Sequence, residues 1–239
     1  MLNFKHFRWL YRGLCALVGI GFSLSPMKVS GQEQGVSSTF SSVTTQLTKG
    51  NRRFIAGHPQ QPRHEAQRRQ ETVKYGQHPK AVILTCADSR VVPERLFDQG
   101  LGDLFTIRVA GNVANDDEVA SVEYAAEHLH TTLVVVLGHT ECGAVTAVVN
   151  GKLLPGRAFA HLTAPIRAAV AAARKTNPTL HGEGLISAAI KANVREAMAD
   201  LLKNSEALRQ LENEQRIRIV GAIYDLKTGQ VRWLDESTH

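Results

Sequence analysis

Two short clusters of reactive side chains each follow an apolar run in the sequence. The first cluster contains Cys86, Asp88 and Arg90, and the second contains His139 and Cys142. Two thiolates and one imidazole are a donor set typical of catalytic zinc, which keeps three protein ligands and an open fourth position. We therefore predict a zinc site made of Cys86, His139 and Cys142.

The spacing within the second cluster has a physical reason. Two residues separate His139 from Cys142, so one tight turn can bring both side chains to the same ion. We predict that Thr140 caps the helix that follows and that Cys142 lies in its first turn. The positive end of that helix would favour the thiolate over the thiol.

Other interpretations of these cysteines remain open at the sequence level. Three residues separate Cys86 from Arg90, which does not match the Cys-x₅-Arg phosphate loop of thiol phosphatases. One alternative is a Cys86–Cys142 disulfide, which would be expected if the N-terminal residues, described below, direct the protein to an oxidising compartment. A redox protein that uses both thiols is a second alternative. A zinc-stabilised protein without catalytic activity is another.

The elements that must position these clusters indicate an α/β fold. Apolar runs predict strands at residues 81–85, 104–109, 133–137, 217–224 and 231–234. Helical periodicity covers residues 43–55, 116–130, 158–175 and 184–209. Continuous apolar strands that alternate with helices predict one α/β domain, with a mostly parallel central sheet flanked by helices. A hairpin turn at residues 227–229 predicts a C-terminal strand extension.

This fold class explains why the two clusters meet. In an open α/β sheet, ligands bind at the carboxyl ends of the strands. Both clusters follow strands directly, so we expect them to face one crevice.

The first 31 residues differ from the rest of the chain. Three basic residues, Lys5, Arg8 and Arg12, precede an uncharged apolar run at residues 13–24, and small residues follow it. This order predicts a secretory signal peptide at residues 1–31, and hence a periplasmic or secreted protein. A span needs about 20 apolar residues, so an uncleaved membrane anchor is disfavoured, and an organelle transit peptide is the main alternative.

Removing the predicted signal peptide changes the charge and the cysteine count. The formal charge of +6 falls to +2, because four basic residues leave, so the basic pI is not an indication of nucleic-acid binding. Only Cys86 and Cys142 remain. Residues 32–42 are rich in Ser, Gly and Gln and predict a flexible lead-in to a domain at residues 43–239.

Taken together, the motifs resemble those of the β-class carbonic anhydrases. The resemblance rests on Cys-x-Asp-x-Arg at residues 86–90 and on His-x-x-Cys-Gly at residues 139–143. Residues 47–54, 108–112 and 220–225 resemble the family's N-terminal helix, the segment after its second strand, and its closing strand. The resemblance implies the β-carbonic anhydrase fold and the zinc-dependent, reversible hydration of carbon dioxide to bicarbonate and a proton by a zinc-bound hydroxide.

The family's residue roles can be transferred to matching positions. The resemblance implies one zinc ion per subunit on the three ligands, and a catalytic pair of Asp88 and Arg90, with Asp88 as an alternative fourth ligand in a closed state. It also implies a set of substrate-binding residues, namely Gln77, Phe105, Ala110, Tyr124 and Gly143. Ordinary core packing explains Phe105 and Tyr124 equally well.

The resemblance also implies an assembly. The family builds its active site at a dimer interface, so a homodimer or a larger homo-oligomer is expected, with Gln77 and Tyr124 acting on the neighbouring subunit's zinc. Two thiolate ligands cancel the formal charge of zinc, so the rate should rise toward alkaline pH. Hydrolysis of carbon disulfide or carbonyl sulfide on the same scaffold is a rival activity.

Overall fold

The structure, a computed structural model, describes residues 31–234, with side chains from Phe40 onward. Apart from Gly31, the predicted signal peptide lies outside these residues. Within them, no helix is both long and apolar enough to cross a membrane.

A mostly parallel sheet forms the centre of the described residues. Its strands are β1 (Ala81–Cys86), β2 (Leu104–Val109), β3 (Leu133–His139), β4 (Arg218–Tyr224) and β5 (Val231–Trp233). They lie in the order β2-β1-β3-β4-β5. All neighbours pair in parallel except β4 and β5, which form the predicted antiparallel hairpin. The predicted fold class is confirmed.

Helices cover both faces of this sheet. They are α1 (Gly31–Ile55), α2 (Ala66–Tyr75), α3 (Pro93–Leu96), α4 (Asp116–Glu127), α5 (Gly143–Val149), α6 (Arg157–Leu162), α7 (Ala164–Thr176), α8 (Gly182–Asn204) and α9 (Glu206–Asn213). One core layer packs α4, α5, α7, α8 and α9 against the sheet. The other lies beneath α1 and α3. Because both faces are covered, every residue of β1 and β3 is buried, which explains their unbroken apolar sequences.

Three predicted helices have different bounds in the structure. Helix α4 ends before residue 130, where His130 has a φ of 53°, a left-handed conformation that a helix cannot continue through. Thr163 and Pro165 separate the predicted 158–175 helix into α6 and α7. The predicted 184–209 helix divides at Ser205, whose hydroxyl accepts a hydrogen bond from the Leu208 amide and caps α9.

Helix α1 runs through residues 32–42, the segment predicted as a flexible lead-in. The segment contains no proline, and Phe40 is already buried, so the anchored part of the helix can extend toward the N-terminus. Asn51 anchors α1 by donating to the carbonyls of Leu96 and Gly229 at 3.0 and 2.9 Å. A Cβ at Gly50 would lie 1.8 Å from the Phe97 carbonyl oxygen, so only glycine permits this contact.

Candidate metal centre and catalytic pair

The three predicted zinc ligands meet at the carboxyl ends of two adjacent strands. Cys86 is the last residue of β1, His139 is the last residue of β3, and Cys142 is the N-cap of α5. Their ligand atoms all lie within 4.8 Å of one another, and all three residues are buried. We call these three residues the ligand cluster.

The hydrogen bonding of His139 tests whether the ligand cluster fits a metal. Its Nδ1 lies 2.8 Å from the Thr140 carbonyl oxygen, so this nitrogen carries the proton and Nε2 presents a lone pair. Nε2 is buried and has no hydrogen-bond partner among the described residues. A buried unpaired nitrogen is costly, and zinc beside two sulfur atoms would satisfy it. The donor set therefore fits zinc.

The two thiols are held close together without a covalent bond. Both are free, so the disulfide alternative is not formed in this structure. The Gly111 amide donates to the Cys86 sulfur at 3.3 Å. A hydrogen bond from Cys142 lowers the pKa of Cys86, and the same bond, together with burial, raises the pKa of Cys142. The two sulfur atoms therefore lie close enough to interact, and a metal bound by both would displace the protons of the thiols.

The prediction that Thr140 caps α5 is wrong. Cys142 itself occupies the N-cap position, with extended backbone angles, and does not lie in the first turn. The Thr140 hydroxyl instead accepts a hydrogen bond from the Leu226 amide at 3.0 Å, and its amide donates to the Tyr224 carbonyl. Thr140 therefore ties the turn that bears two ligands to the terminal hairpin.

Asp88 and Arg90 form a two-pronged pair beside the ligand cluster. Arg90 donates from Nε to Asp88 Oδ1 at 3.0 Å and from Nη2 to Oδ2 at 2.8 Å. This pairing holds the pKa of Asp88 well below its usual range. Asp88 Oδ2 lies 3.9 Å from His139 Nε2, so the carboxylate faces the position where the ligand atoms converge. Arg108 supports the loop by donating to the Asp88 carbonyl at 2.8 Å.

Two supporting residues were not predicted from the sequence. A short 3-10 turn at Ala110–Asn112 places the Gly111 amide on Cys86, and Gly111 has a φ of 78°. A Cβ there would lie 2.6 Å from Ile166, so the turn needs glycine. Asn193, buried in α8, donates to the Gly111 carbonyl at 2.7 Å. An asparagine among the apolar positions of a long helix was the available signal.

Comparison with known proteins agrees with this geometry. A family model described as carbonic anhydrase matches residues 81–231. Carbonic anhydrase 2 of Mycobacterium tuberculosis (strain CDC 1551 / Oshkosh) is 38% identical over 187 residues, which cover 77% of this chain and 87% of that protein. The chain belongs to the β-class carbonic anhydrases.

Two solved structures show the same fold. The β-carbonic anhydrase CafA of Aspergillus fumigatus has a TM-score of 0.64 and 29% identity, over 71% of this chain and 82% of that one. A structure described as one of two tetrameric β-carbonic anhydrases from Sordaria macrospora has a TM-score of 0.62 and 19% identity, over 87% and 98%. Family membership assigns the chain carbonic anhydrase activity, a lyase reaction that interconverts carbon dioxide and bicarbonate.

The residues expected on the substrate side do not all join the ligand cluster. Gln77 and Tyr124 line a separate cavity of about 520 Å³, whose lining includes neither a ligand nor a member of the Asp88–Arg90 pair. We call it the outer cavity. Phe105 is half-buried, and its ring centroid lies 6.2 Å from that of Tyr124.

The other two expected substrate residues flank the metal centre. Ala110 begins the 3-10 turn that covers Cys86, and it is half-buried. Gly143 begins α5 directly after Cys142, and no atom lies within 4 Å of where its Cβ would be. The structure thus places Ala110 and Gly143 beside the ligand cluster, Gln77 and Tyr124 at the outer cavity, and Phe105 against Tyr124.

Proposed function

We propose that this carbonic anhydrase binds one zinc ion per subunit through Cys86, His139 and Cys142 and uses it to hydrate carbon dioxide. The observation that carries the proposal is the buried, unpaired Nε2 of His139, a residue whose ligand atom lies within 4.8 Å of the sulfurs of Cys86 and Cys142. A bound zinc ion supplies Lewis acidity, which makes water acidic enough to provide a nucleophile near neutral pH.

Asp88 orients the nucleophile in this proposal. A carboxylate can accept a hydrogen bond from the attacking O–H group and so direct an oxygen lone pair at the substrate carbon. Arg90 fixes the carboxylate through two hydrogen bonds, which hold its plane and leave little freedom to rotate. The same pairing favours an open resting site over a closed one in which Asp88 is the fourth ligand.

The donor set also determines the expected pH dependence. Two thiolates and one imidazole carry two negative charges, whereas three histidines carry none. The Lewis acidity of the ion is correspondingly reduced, so more alkaline conditions are needed to provide the nucleophile. We therefore expect the hydration rate to rise with pH.

A stopped-flow measurement on the zinc-loaded protein tests this proposal. We expect Asp88→Asn to retain zinc but to lower the hydration rate about 100-fold. Asp117→Asn, a matched change at the exposed start of α4, should leave the rate unaltered. A folded protein with stoichiometric zinc and only the background hydration rate would contradict the proposal. It would favour the rival sulfur-containing substrates, carbon disulfide and carbonyl sulfide.

We further propose that the active unit is a homodimer in which Gln77 and Tyr124 complete the site of the neighbouring subunit. The outer cavity holds both residues and none of the ligands. Helix α2, next to it, has no buried residue, and Val73 and Tyr75 are 83% and 64% exposed. Large apolar side chains that are this exposed are ones that a second copy would cover. A larger assembly of such dimers is compatible with this arrangement.

Mixing two inactive variants tests whether Gln77 acts across the interface. In a mixed dimer of Asp88→Asn and Gln77→Leu, action in trans leaves one site with both residues intact. Random assortment should then restore roughly a quarter of the wild-type rate, because half of the dimers are mixed and each has one intact site. If Gln77 acted within its own subunit, mixing would restore nothing.

We also propose that the protein is exported to the periplasm or secreted. The support is the order of basic, apolar and small residues at positions 1–31. Export should yield a mature chain that begins at Gln32, as N-terminal sequencing of the protein from its native host would show. Replacing Lys5, Arg8 and Arg12 with Glu should retain the chain in the cytoplasm. An intact N-terminus in the wild-type protein would contradict cleavage.

A further inference from the structure

A further cavity lies apart from the outer cavity. Its volume is about 950 Å³, and it is bounded by α5, α8 and the β4–β5 hairpin. This volume falls in the upper part of the range typical of small-molecule sites. Five apolar side chains form much of its wall, namely those of Ile186, Ile190, Ile223, Trp233 and Leu234. We call it the amphipathic cavity.

Charged side chains at the amphipathic cavity favour an anion. Lys152, Lys191 and Arg232 line it, against two carboxylates, Glu141 and Glu183. Within residues 31–234, neither lysine takes part in an ion pair. Arg232 is 60% exposed, and its contact with Asp225 is a long one, at 3.5 Å. The two lysines are therefore available to a negatively charged group whose apolar part lies on the wall.

One wall of the amphipathic cavity is the turn between β3 and α5, which carries His139 and Cys142 of the ligand cluster. Thr140, Glu141 and Gly143 all line it. Glu141 Oε2 lies 3.9 Å from Arg90 Nη1, and Arg90 holds Asp88. Glu141 also has a φ of 56°, a left-handed conformation that is strained for a residue other than glycine. A ligand that moves Glu141 would thus alter both the turn and the support of Asp88.

We propose that the amphipathic cavity is a second ligand site, which binds an amphipathic carboxylate with an aromatic or short aliphatic body. Its occupancy changes the hydration rate through Glu141 and Arg90. The binding part stands on the cavity alone, whereas the effect on rate rests on the proposed function of Asp88 and Arg90.

Titration of the zinc-loaded full chain with 2-naphthoate tests the binding part. We expect saturable binding of one molecule per subunit and at least about fivefold weaker binding of the neutral analogue 2-naphthylmethanol. Lys191→Glu should weaken 2-naphthoate binding about tenfold. Lys203→Glu, a matched charge reversal on the same helix but outside the cavity, should not weaken it. Ser187→Trp, which fills the cavity from an exposed position, should abolish binding.

The rate effect is tested separately by stopped flow with saturating 2-naphthoate. The hydration rate of the wild type should change and that of Ser187→Trp should not. Glu141→Gln should keep its affinity for 2-naphthoate within about twofold but lose the rate response. Retained affinity in both Lys191→Glu and Ser187→Trp would place the ligand elsewhere and overturn the proposal. So would a change in oligomeric state caused by Lys191→Glu or Ser187→Trp, since the cavity would then be a subunit contact.

Discussion

The ligand cluster and the outer cavity differ in how the chain supports them. The three ligands are buried at the ends of β1 and β3, where the sheet is covered on both faces. Gln77 is exposed and Tyr124 is 48% exposed, on a surface loop and on the outer side of α4. The residues of the first region all lie within one chain, whereas those of the second are exposed, as the proposed dimer requires.

This difference indicates which part of the site a single subunit forms and which part the proposed dimer would supply. Hydrogen bonds within one subunit fix the ligand cluster, through the Gly111 amide on Cys86 and the Thr140 carbonyl on His139. No residue of the ligand cluster lines the outer cavity. Metal binding should therefore survive separation of the subunits, and full activity should not.

The largest effect is expected from breaking the ligand cluster. His139→Asn removes the nitrogen that the structure leaves buried and unpaired, so zinc should fall far below one per subunit. The hydration rate should drop by roughly a thousandfold or more, because the Lewis acid is lost. His58→Asn, a change at an exposed histidine, is the control. Metal analysis and stopped flow together check the prediction, and full zinc content in His139→Asn would refute the ligand assignment.

The next largest effect, a loss of dimer stability and of activity, is expected from a change beside the outer cavity. Val73→Glu places a charge at an exposed apolar residue of α2, which should weaken the proposed dimer by about 2 kcal/mol or more. Sedimentation should then show monomers that retain zinc but hydrate carbon dioxide slowly. Leu180→Glu, the same kind of change at an exposed leucine before α8, should leave the assembly intact. Monomers with the full wild-type rate would show that the site needs no neighbour.

The sequence predicted these two regions to different extents. Donor chemistry and strand ends suffice for Cys86, His139 and Cys142, because a buried parallel sheet leaves few arrangements for residues that follow its strands. The role of Thr140 was predicted wrongly, because its partner Leu226 is 86 residues away. Local spacing cannot reveal such a contact. Gly111 and Asn193 were missed for the same reason, since 82 residues separate them.

A smaller effect is expected on the stability of the fold, from the carboxylate that holds the segment before α2. Asp98 is buried and accepts hydrogen bonds from the amides of Gln60 and Gln61 and from Arg53. Burial opposes its ionisation, but these hydrogen bonds lower its pKa below the usual value. Asp98 therefore stabilises the fold above the pKa of an unfolded aspartate, and this contribution is lost as the pH falls through the lower folded value.

Asp98→Asn should accordingly reduce the free energy of unfolding at pH 7 by about 2 kcal/mol. The difference from the wild type should shrink in acid, below about pH 4. Urea unfolding of both proteins at several pH values measures this, with Asp117→Asn as the control. Zinc content at pH 7 should not change, because Asp98 supports the approach to the outer cavity and not the ligand cluster. A pH-independent difference would show that the carboxylate's charge is irrelevant.

The smallest effect is expected from removing the hydrogen bond between the turn that carries His139 and Cys142 and the β4–β5 hairpin. Thr140→Val keeps the shape of the side chain but leaves the Leu226 amide without its acceptor, which should cost about 1 kcal/mol of stability. The His139 hydrogen bond uses the backbone carbonyl of residue 140, so it survives the substitution. We therefore expect the affinity for zinc to change by less than about threefold, as a chelator competition would measure. Thr176→Val, a change at the exposed end of α7, is the control. A large loss of zinc affinity would mean that the hairpin, and not the turn alone, holds the ligand cluster in place.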